Sequence, residues 1–245
     1  MIYVILLLMS ILLGQCCKHL CKKLPPVVSE EITYAEFSKG LFKDFEIDLK
    51  YSLIFIIFTL IEVCLFNFSI YKSIFYLILF FILSIVFSID YRFQLIPDEC
   101  QIALIFLGVI KILARPNTLI SSCLGALVGF SIFYAMGLLA MLIFKKEGMG
   151  FGDVKLMTGL GLIFGLKNII VITLISFVVG AIISVILMIF KNKDMQSYIP
   201  FGPFIVIATV LVTFIKADVF IKMYVDFCAF LASGVSDFIF NMLYK

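Results

Sequence analysis

Apolar residues fill long stretches of this chain, and polar residues collect in the breaks between them. Continuous apolar runs occupy 2–17, 51–69, 73–89, 100–114, 119–144, 156–166, 168–190 and 203–216. At roughly 20 residues per bilayer crossing, this pattern predicts an all-α, polytopic membrane protein with about eight transmembrane helices. Tyr71-Lys72 parts the second run from the third, and the turn cluster Ala114-Arg115-Pro116-Asn117 parts the fourth from the fifth. The run 156–166 is short and contains Gly159, Gly161 and Gly165. It predicts either tight helix packing or half a crossing. The stretch 217–245 is apolar but carries Asp218, Lys222, Asp226 and Asp237. It predicts an interfacial amphipathic helix or a further crossing.

Composition narrows the class. Apolar residues make up 64% of the chain, charged residues 14%, and mean hydropathy is +1.22. A soluble domain runs at about 45–50% apolar. These values exclude a disordered chain, a nucleic-acid-binding arm and an ordinary cytosolic enzyme. The expected environment is the lipid bilayer, with no nucleic-acid partner. The net charge of +3 says little, but the placement of charge says more. Loops 18–50, 90–99, 145–155 and 191–202 hold most of the 19 basic residues. By the positive-inside rule these loops are cytoplasmic and the N-terminus is outside. The first run has no basic residue before it and Lys18, Lys22 and Lys23 after it, so it is expected to stay as an anchor. Three parts follow: an anchor helix with a short cytoplasmic connector over 1–50, a membrane core over 51–216, and the C-terminal segment 217–245.

Much chemistry is excluded by what the sequence lacks. His19 is the sole histidine, so an H-E-x-x-H zinc site and a Ser/His pair deep in a later helix are both absent. No phosphate loop or dinucleotide fingerprint occurs. None of the seven cysteines forms a C-x-x-C pair, and no metal site is expected. Carboxylates remain. An acid at bilayer depth is disfavoured by about 2.5–3.5 kcal/mol, so each one calls for a reason. Glu62 lies inside the second run, Asp90 ends the third and Asp153 precedes the sixth.

By parity of crossings Asp90 and Asp153 lie on the same, cytoplasmic side, and they come from different helices. Two carboxyls that cannot both ionise make an aspartyl protease dyad: one polarises the scissile carbonyl and the other activates water. Gly148, Gly150 and Gly152 alternate just before Asp153. They suit positive φ and close approach to an extended substrate, or plain tight packing. Lys155 and Arg92 each stand two residues beyond an aspartate and are candidates to orient a carboxylate or to bind lipid phosphate. Pro97, Asp98 and Glu99 are expected to open a helix, with Pro97 in its first position and the acids facing the helix dipole. A different class of reading makes Asp90 and Asp153 the cation ligands of a coupled transporter. That class places its acids near the midplane, whereas Asp90 and Asp153 both sit at the inner boundary, and inverted repeats are missing.

Three blocks carry a resemblance. Asp90 followed by Ile96-Pro97-Asp98, the block Glu147-Gly148-Met149-Gly150-Phe151-Gly152-Asp153-Val154-Lys155-Leu156, and the block Ile199-Pro200-Phe201-Gly202-Pro203-Phe204 stand in one order over 85–215. Together they resemble the type IV prepilin peptidases, the G-x-G-D membrane aspartyl proteases of bacteria. The resemblance implies that Asp90 and Asp153 are catalytic. It further implies that Gly150, Gly152, Lys155, Pro97, Pro200, Gly202 and Pro203 bind substrate or shape the site, with Pro97 and 199–204 as rigid non-helical backbone. The implied activity is cleavage of the basic leader from prepilins or pseudopilins at the cytoplasmic face of the inner membrane, with no cofactor. Family members that also N-methylate the new terminus use S-adenosylmethionine, and most carry two C-x-x-C pairs in a longer cytoplasmic loop. Segment 22–50 is shorter and has no cysteine. S-adenosylmethionine is therefore expected only where methylation is retained. A related peptidase acting on another membrane substrate is the nearest alternative.

Overall fold

The computed structural model describes residues 12–13, 16, 56–57, 70–145, 150–191, 200–215, 217–226 and 229. Most of the runs 2–17 and 51–69, all of segment 18–50, Glu62, the block start 147–149 and most of 217–245 lie outside the described residues. The expected count of eight crossings rests partly on them.

The described residues form helices and short connections with no strand among them, in line with the all-α expectation. Helix α1 spans Ile70–Phe93, α2 Asp98–Ala114, α3 Leu119–Phe144, α4 Phe151–Lys191 and α5 Gly202–Phe214. A short 3-10 turn, Pro116–Thr118, joins α2 to α3 at the expected turn cluster. A further helix, α6, covers Ala217–Asp226 and is bent 100° from α5. By length and composition alone, three stretches among the described residues suffice to cross a membrane: Tyr71–Tyr91, Pro116–Ile143 and Phe151–Ile186, the last of them broken at Gly165. The bent pair α5–α6 makes a fourth if it counts as one span.

Burial separates an inner helix from an outer one. Half of the most apolar window of α1 is buried inside the protein, against 11% for α3. Leu77, Leu83 and Val86 of α1 pack in the core with Leu104 of α2, Leu156, Met157 and Leu160 of α4, and Ile205 of α5. Leu113, Ile120, Leu142 and Ile143 point outward, as lipid-facing residues do.

α4 is not one rod. Gly165 has φ 78 and ψ 174, a conformation open almost only to glycine. A Cβ on Gly129 of α3 would meet both Met157 O and the Ile169 side chain, at 2.7 and 3.3 Å. In a straight helix those two residues stand about 18 Å apart along the axis. The chain therefore turns back at Gly165, and the arms 151–164 and 166–191 lie side by side along α3. The break falls where the sequence pattern parted 156–166 from 168–190. The first arm is only about 21 Å long, short of a bilayer crossing of about 30 Å. The glycine-rich run is both tightly packed and less than a full crossing.

Apolar helices gain little from the hydrophobic effect when lipid is the alternative, so close packing must hold them together. The glycines supply it. A Cβ on Gly125 would lie 2.6 Å from both Gly161 O and the Gly165 carbonyl carbon. Gly108 of α2 and Gly159 of α4 make the matching approach on the other side, against Leu162 and Leu104.

The turn at Gly165 frees backbone groups, and side chains take them up. The Lys111 ammonium donates to Ile163 O at 2.6 Å. The Leu166 N–H donates to Ser121 Oγ at 3.3 Å, and Asn168 Nδ2 donates to Phe164 O at 2.8 Å. Lys167 pairs with Asp218 beside the turn.

Candidate active site

Four helix ends meet opposite the Gly165 turn. Asp90 lies in the last turn of α1, which stops at Gln94: that residue adopts φ 56, and its N–H donates to Asp90 O at 2.9 Å. The chain crosses to α2 through Leu95, Ile96 and Pro97. Asp153 lies in the first turn of α4, and its N–H donates to Gly150 O at 3.1 Å. Gly202 opens α5.

Asp90 and Asp153 are both buried, at 5% and 6% exposure, although each stands at a helix end. They lie within electrostatic reach of each other, with Asp90 the charged neighbour that acts on Asp153. Asp90 Oδ2 accepts the Gly202 N–H at 2.9 Å. That N–H is one of the free donors at the start of a helix, where the dipole also favours an anion. Asp153 Oδ1 is buried with no hydrogen-bond partner among the described residues. A buried carboxyl oxygen left open in this way stands ready for a proton, a water or a substrate group.

The block 199–204 departs from expectation. Gly202, Pro203 and Phe204 are helical, not rigid non-helical backbone. Pro203 accounts for this, because its fixed φ suits the first turn of a helix and its missing N–H is not needed there. Pro200 is half-buried just ahead of the helix. Gly202 has no room for a side chain, since a Cβ there would lie 2.5 Å from Asp90 Oδ2.

The glycines before Asp153 suit either positive φ or plain tight packing. Among the described glycines only Gly165 has positive φ, so Gly150 and Gly152 do not. Gly152 serves packing instead: a Cβ there would press on Ile96 at 3.2 Å. The chain between Asp90 and Asp98 therefore rests directly on the first turn of α4. Lys155 makes no ion pair with Asp90 or Asp153. Its ammonium pairs with Asp98 at 2.8 Å and lies 5.5 Å from the Phe151 ring centre. Asp98 thus has a partner across the two motifs, beyond its place at a helix start. Pro97 is the extended residue capping α2, with ψ 136, and Asp98 takes the first helical position. Proline φ suits both positions, so sequence alone does not separate them. The Arg92 side chain lies outside the described set.

The sequence reading missed the support beneath the site. Phe133 of α3, Phe177 of α4, Phe201 and Phe204 form a ring cluster with centroids 5.4–5.8 Å apart. Gly180 leaves space for it, as a Cβ there would meet the Phe204 and Phe201 rings at 3.0 and 3.2 Å. No short-range signal joins residues so far apart in the chain. The glycine contacts of α3 and α4 did leave one, in the spacing Gly125-x3-Gly129 and Gly161-x3-Gly165.

Comparison with known proteins bears on these aspartates. Residues 77–185 match the type IV leader peptidase family. That segment takes in Asp90, the Ile96-Pro97-Asp98 turn and Asp153. The chain is 38% identical over 133 residues to a prepilin leader peptidase/N-methyltransferase of Xanthomonas campestris pv. campestris, covering 52% of this chain and 45% of the relative. A protein of the same name from Pseudomonas aeruginosa is 34% identical over 143 residues, covering 58% and 49%. One from Legionella pneumophila is 32% identical over 166 residues, covering 66% and 56%. The chain spans about half the length of the curated relatives it matches. No solved structure matches it.

Those relatives' names include N-methyltransferase, which raises the fit of S-adenosylmethionine. Among the described residues a cleft of about 170 Å³ lies at the far end of the bundle, and it presents Lys72, Lys111 and Arg115. Three cations repel a sulfonium, so this cleft does not suit that cofactor. No group of three metal-ligating side chains occurs among the described residues.

Proposed function

We propose that this chain is a membrane aspartyl endopeptidase that removes the basic leader of type IV prepilins or pseudopilins, with Asp90 and Asp153 as its catalytic pair. The observation that carries the reading is the convergence of two buried carboxyls from separate helices, one held by the Gly202 N–H and one with an open oxygen. Two adjacent buried carboxyls share one proton, because both cannot ionise together. The Gly202 N–H suits Asp90 to the ionised role, since a donor aimed at Oδ2 stabilises the anion. Asp153 then holds the shared proton.

In the cleavage step the Asp90 carboxylate takes a proton from water as the water oxygen attacks the scissile carbonyl carbon. Asp153 gives its proton to the carbonyl oxygen, forming a tetrahedral diol. The C–N bond then breaks as Asp90 gives its proton to the departing nitrogen and Asp153 takes one from a diol hydroxyl, leaving a carboxyl on the leader and the new amino terminus on the product. Pro97, Gly150, Gly152, Pro200, Gly202 and Pro203 shape the site, and Lys155 fixes the α2–α4 junction through Asp98. By the distribution of basic residues, the site faces the cytoplasm of the inner membrane and the N-terminus is outside. Proteolysis uses no metal or cofactor in this scheme.

Both acids sit where helices end, at one face of the bundle. That placement favours a peptidase over a cation-coupled transporter, whose ligands belong near the midplane. The test is co-expression with a candidate prepilin and a gel shift on leader removal. Wild type should give the shorter product, and Asp153→Asn should insert normally and leave the prepilin uncut. Full cleavage by Asp153→Asn would overturn the reading.

A further inference from the structure

The end of the bundle away from the aspartates holds a second set of converging charges. The start of α1 and the end of α2 flank a cleft of about 170 Å³ lined by Tyr71, Lys72, Tyr76, Lys111, Arg115 and Ile163, among others. Lys72 and Lys111 are half-buried and Arg115 is exposed. The Arg115 charge acts on the partly desolvated Lys111 ammonium. Like charges held together in a half-buried cleft repel, and an anion removes that cost.

No acid of the described chain does so. Asp90, Asp98, Glu99 and Asp153 are at the opposite end of the helices, and Asp218 is paired with Lys167. Asp226, at the end of α6, makes no ion pair with the cleft residues among the described contacts. Lys111 spends one proton on Ile163 O at 2.6 Å and has two left to donate. Arg115 offers a planar fork that matches phosphate oxygens, and Lys72 a point charge.

The position selects the source of the phosphate. The cleft lies at the end of the apolar stretch Tyr71–Tyr91, the depth at which headgroups begin. Tyr71 and Tyr76 stand beside it, as interfacial tyrosines do. Basic pockets between membrane helices on the cytoplasmic side take anionic headgroups, and the same pairing of cation and phosphate is open to this cleft on the opposite face. From this geometry we infer that Lys72, Lys111 and Arg115 form a binding site for the headgroup phosphate of an anionic phospholipid. The inference concerns the end remote from the aspartates and stands independently of the peptidase reading.

The test uses the full chain purified in an uncharged detergent. Thermal unfolding is followed with added phosphatidylglycerol, phosphatidylcholine or inorganic phosphate. Phosphatidylglycerol should raise the melting temperature in a saturable way, and the other two should leave it unchanged. The variant Lys72→Gln/Arg115→Gln should lose that shift, while Lys222→Gln, outside the cleft, should keep it. Lys111 is left intact because it also holds the turn of α4. If the double variant does not fold, Lys72→Arg/Arg115→Lys, which conserves both charges, should still show the phosphatidylglycerol shift. Equal shifts with phosphatidylcholine, or an undiminished shift in the double Gln variant, would overturn the site. Protection by inorganic phosphate alone would overturn the lipid as its source.

Discussion

At one end of the helices Asp90 accepts the Gly202 N–H and Asp153 holds a buried oxygen with no partner among the described residues. At the other, Lys111 donates to Ile163 O and Ser121 accepts from Leu166 N–H. Both ends gather broken or terminating helices, and both must deal with backbone groups that a bilayer does not solvate. They do so differently. The Gly165 end satisfies the broken backbone with side chains, which ties α2, α3 and α4 into one turn. The aspartate end turns a free helix N–H onto a side chain and leaves a carboxyl oxygen open. The first arrangement builds stability, while the second leaves polar capacity unused, as a reactive site requires.

That contrast predicts mutations with different readouts at the two ends. The largest effect belongs to the aspartates. Asp153→Asn or Asp90→Asn should lower leader cleavage by about 10²–10⁴-fold with the helices intact by circular dichroism. A large loss of fold in either variant would place these residues with the structural end instead. Gly202→Ala comes next, since its Cβ would displace Asp90 Oδ2. A shift on the ångström scale costs catalysis about 10²-fold, so turnover should fall steeply while melting changes little.

At the other end the signs exchange. Gly165→Ala should destabilise the protein by about 1–3 kcal/mol, because its backbone conformation is close to glycine-only. Lys111→Met should cost about 1–3 kcal/mol, the penalty of leaving a buried carbonyl unpaired. Both should lower the melting temperature more than they lower turnover per folded molecule. If either abolished cleavage in a fully folded sample, the two ends would be functionally coupled. The smallest effect is Asp98→Asn. Its ion pair with Lys155 is exposed, with side chains 69% and 43% accessible, and such pairs contribute about 0.2–1 kcal/mol. This variant should retain most of its cleavage activity, which separates Asp98 from Asp90.

Much of this was legible along the chain because its causes are local. The lengths of the apolar runs determined which segments became α1 to α5, and the break between 156–166 and 168–190 fell at Gly165. The parity of crossings placed Asp90 and Asp153 at one end, since helices of similar length that alternate in direction bring alternate loops together. Contacts between distant residues were decided only by the tertiary structure. Gly202 was a glycine in a motif until the structure set its N–H against Asp90, 112 positions away. Lys155, two residues from Asp153, turned to Asp98 because the helix carries the two side chains in different directions. Lys72 stood in one segment and Lys111 and Arg115 in another, and only the antiparallel pairing of α1 and α2 made one basic cleft of them. Hydropathy acts residue by residue and is written in the sequence. The direction of a hydrogen bond and the meeting of charges depend on how the helices pack.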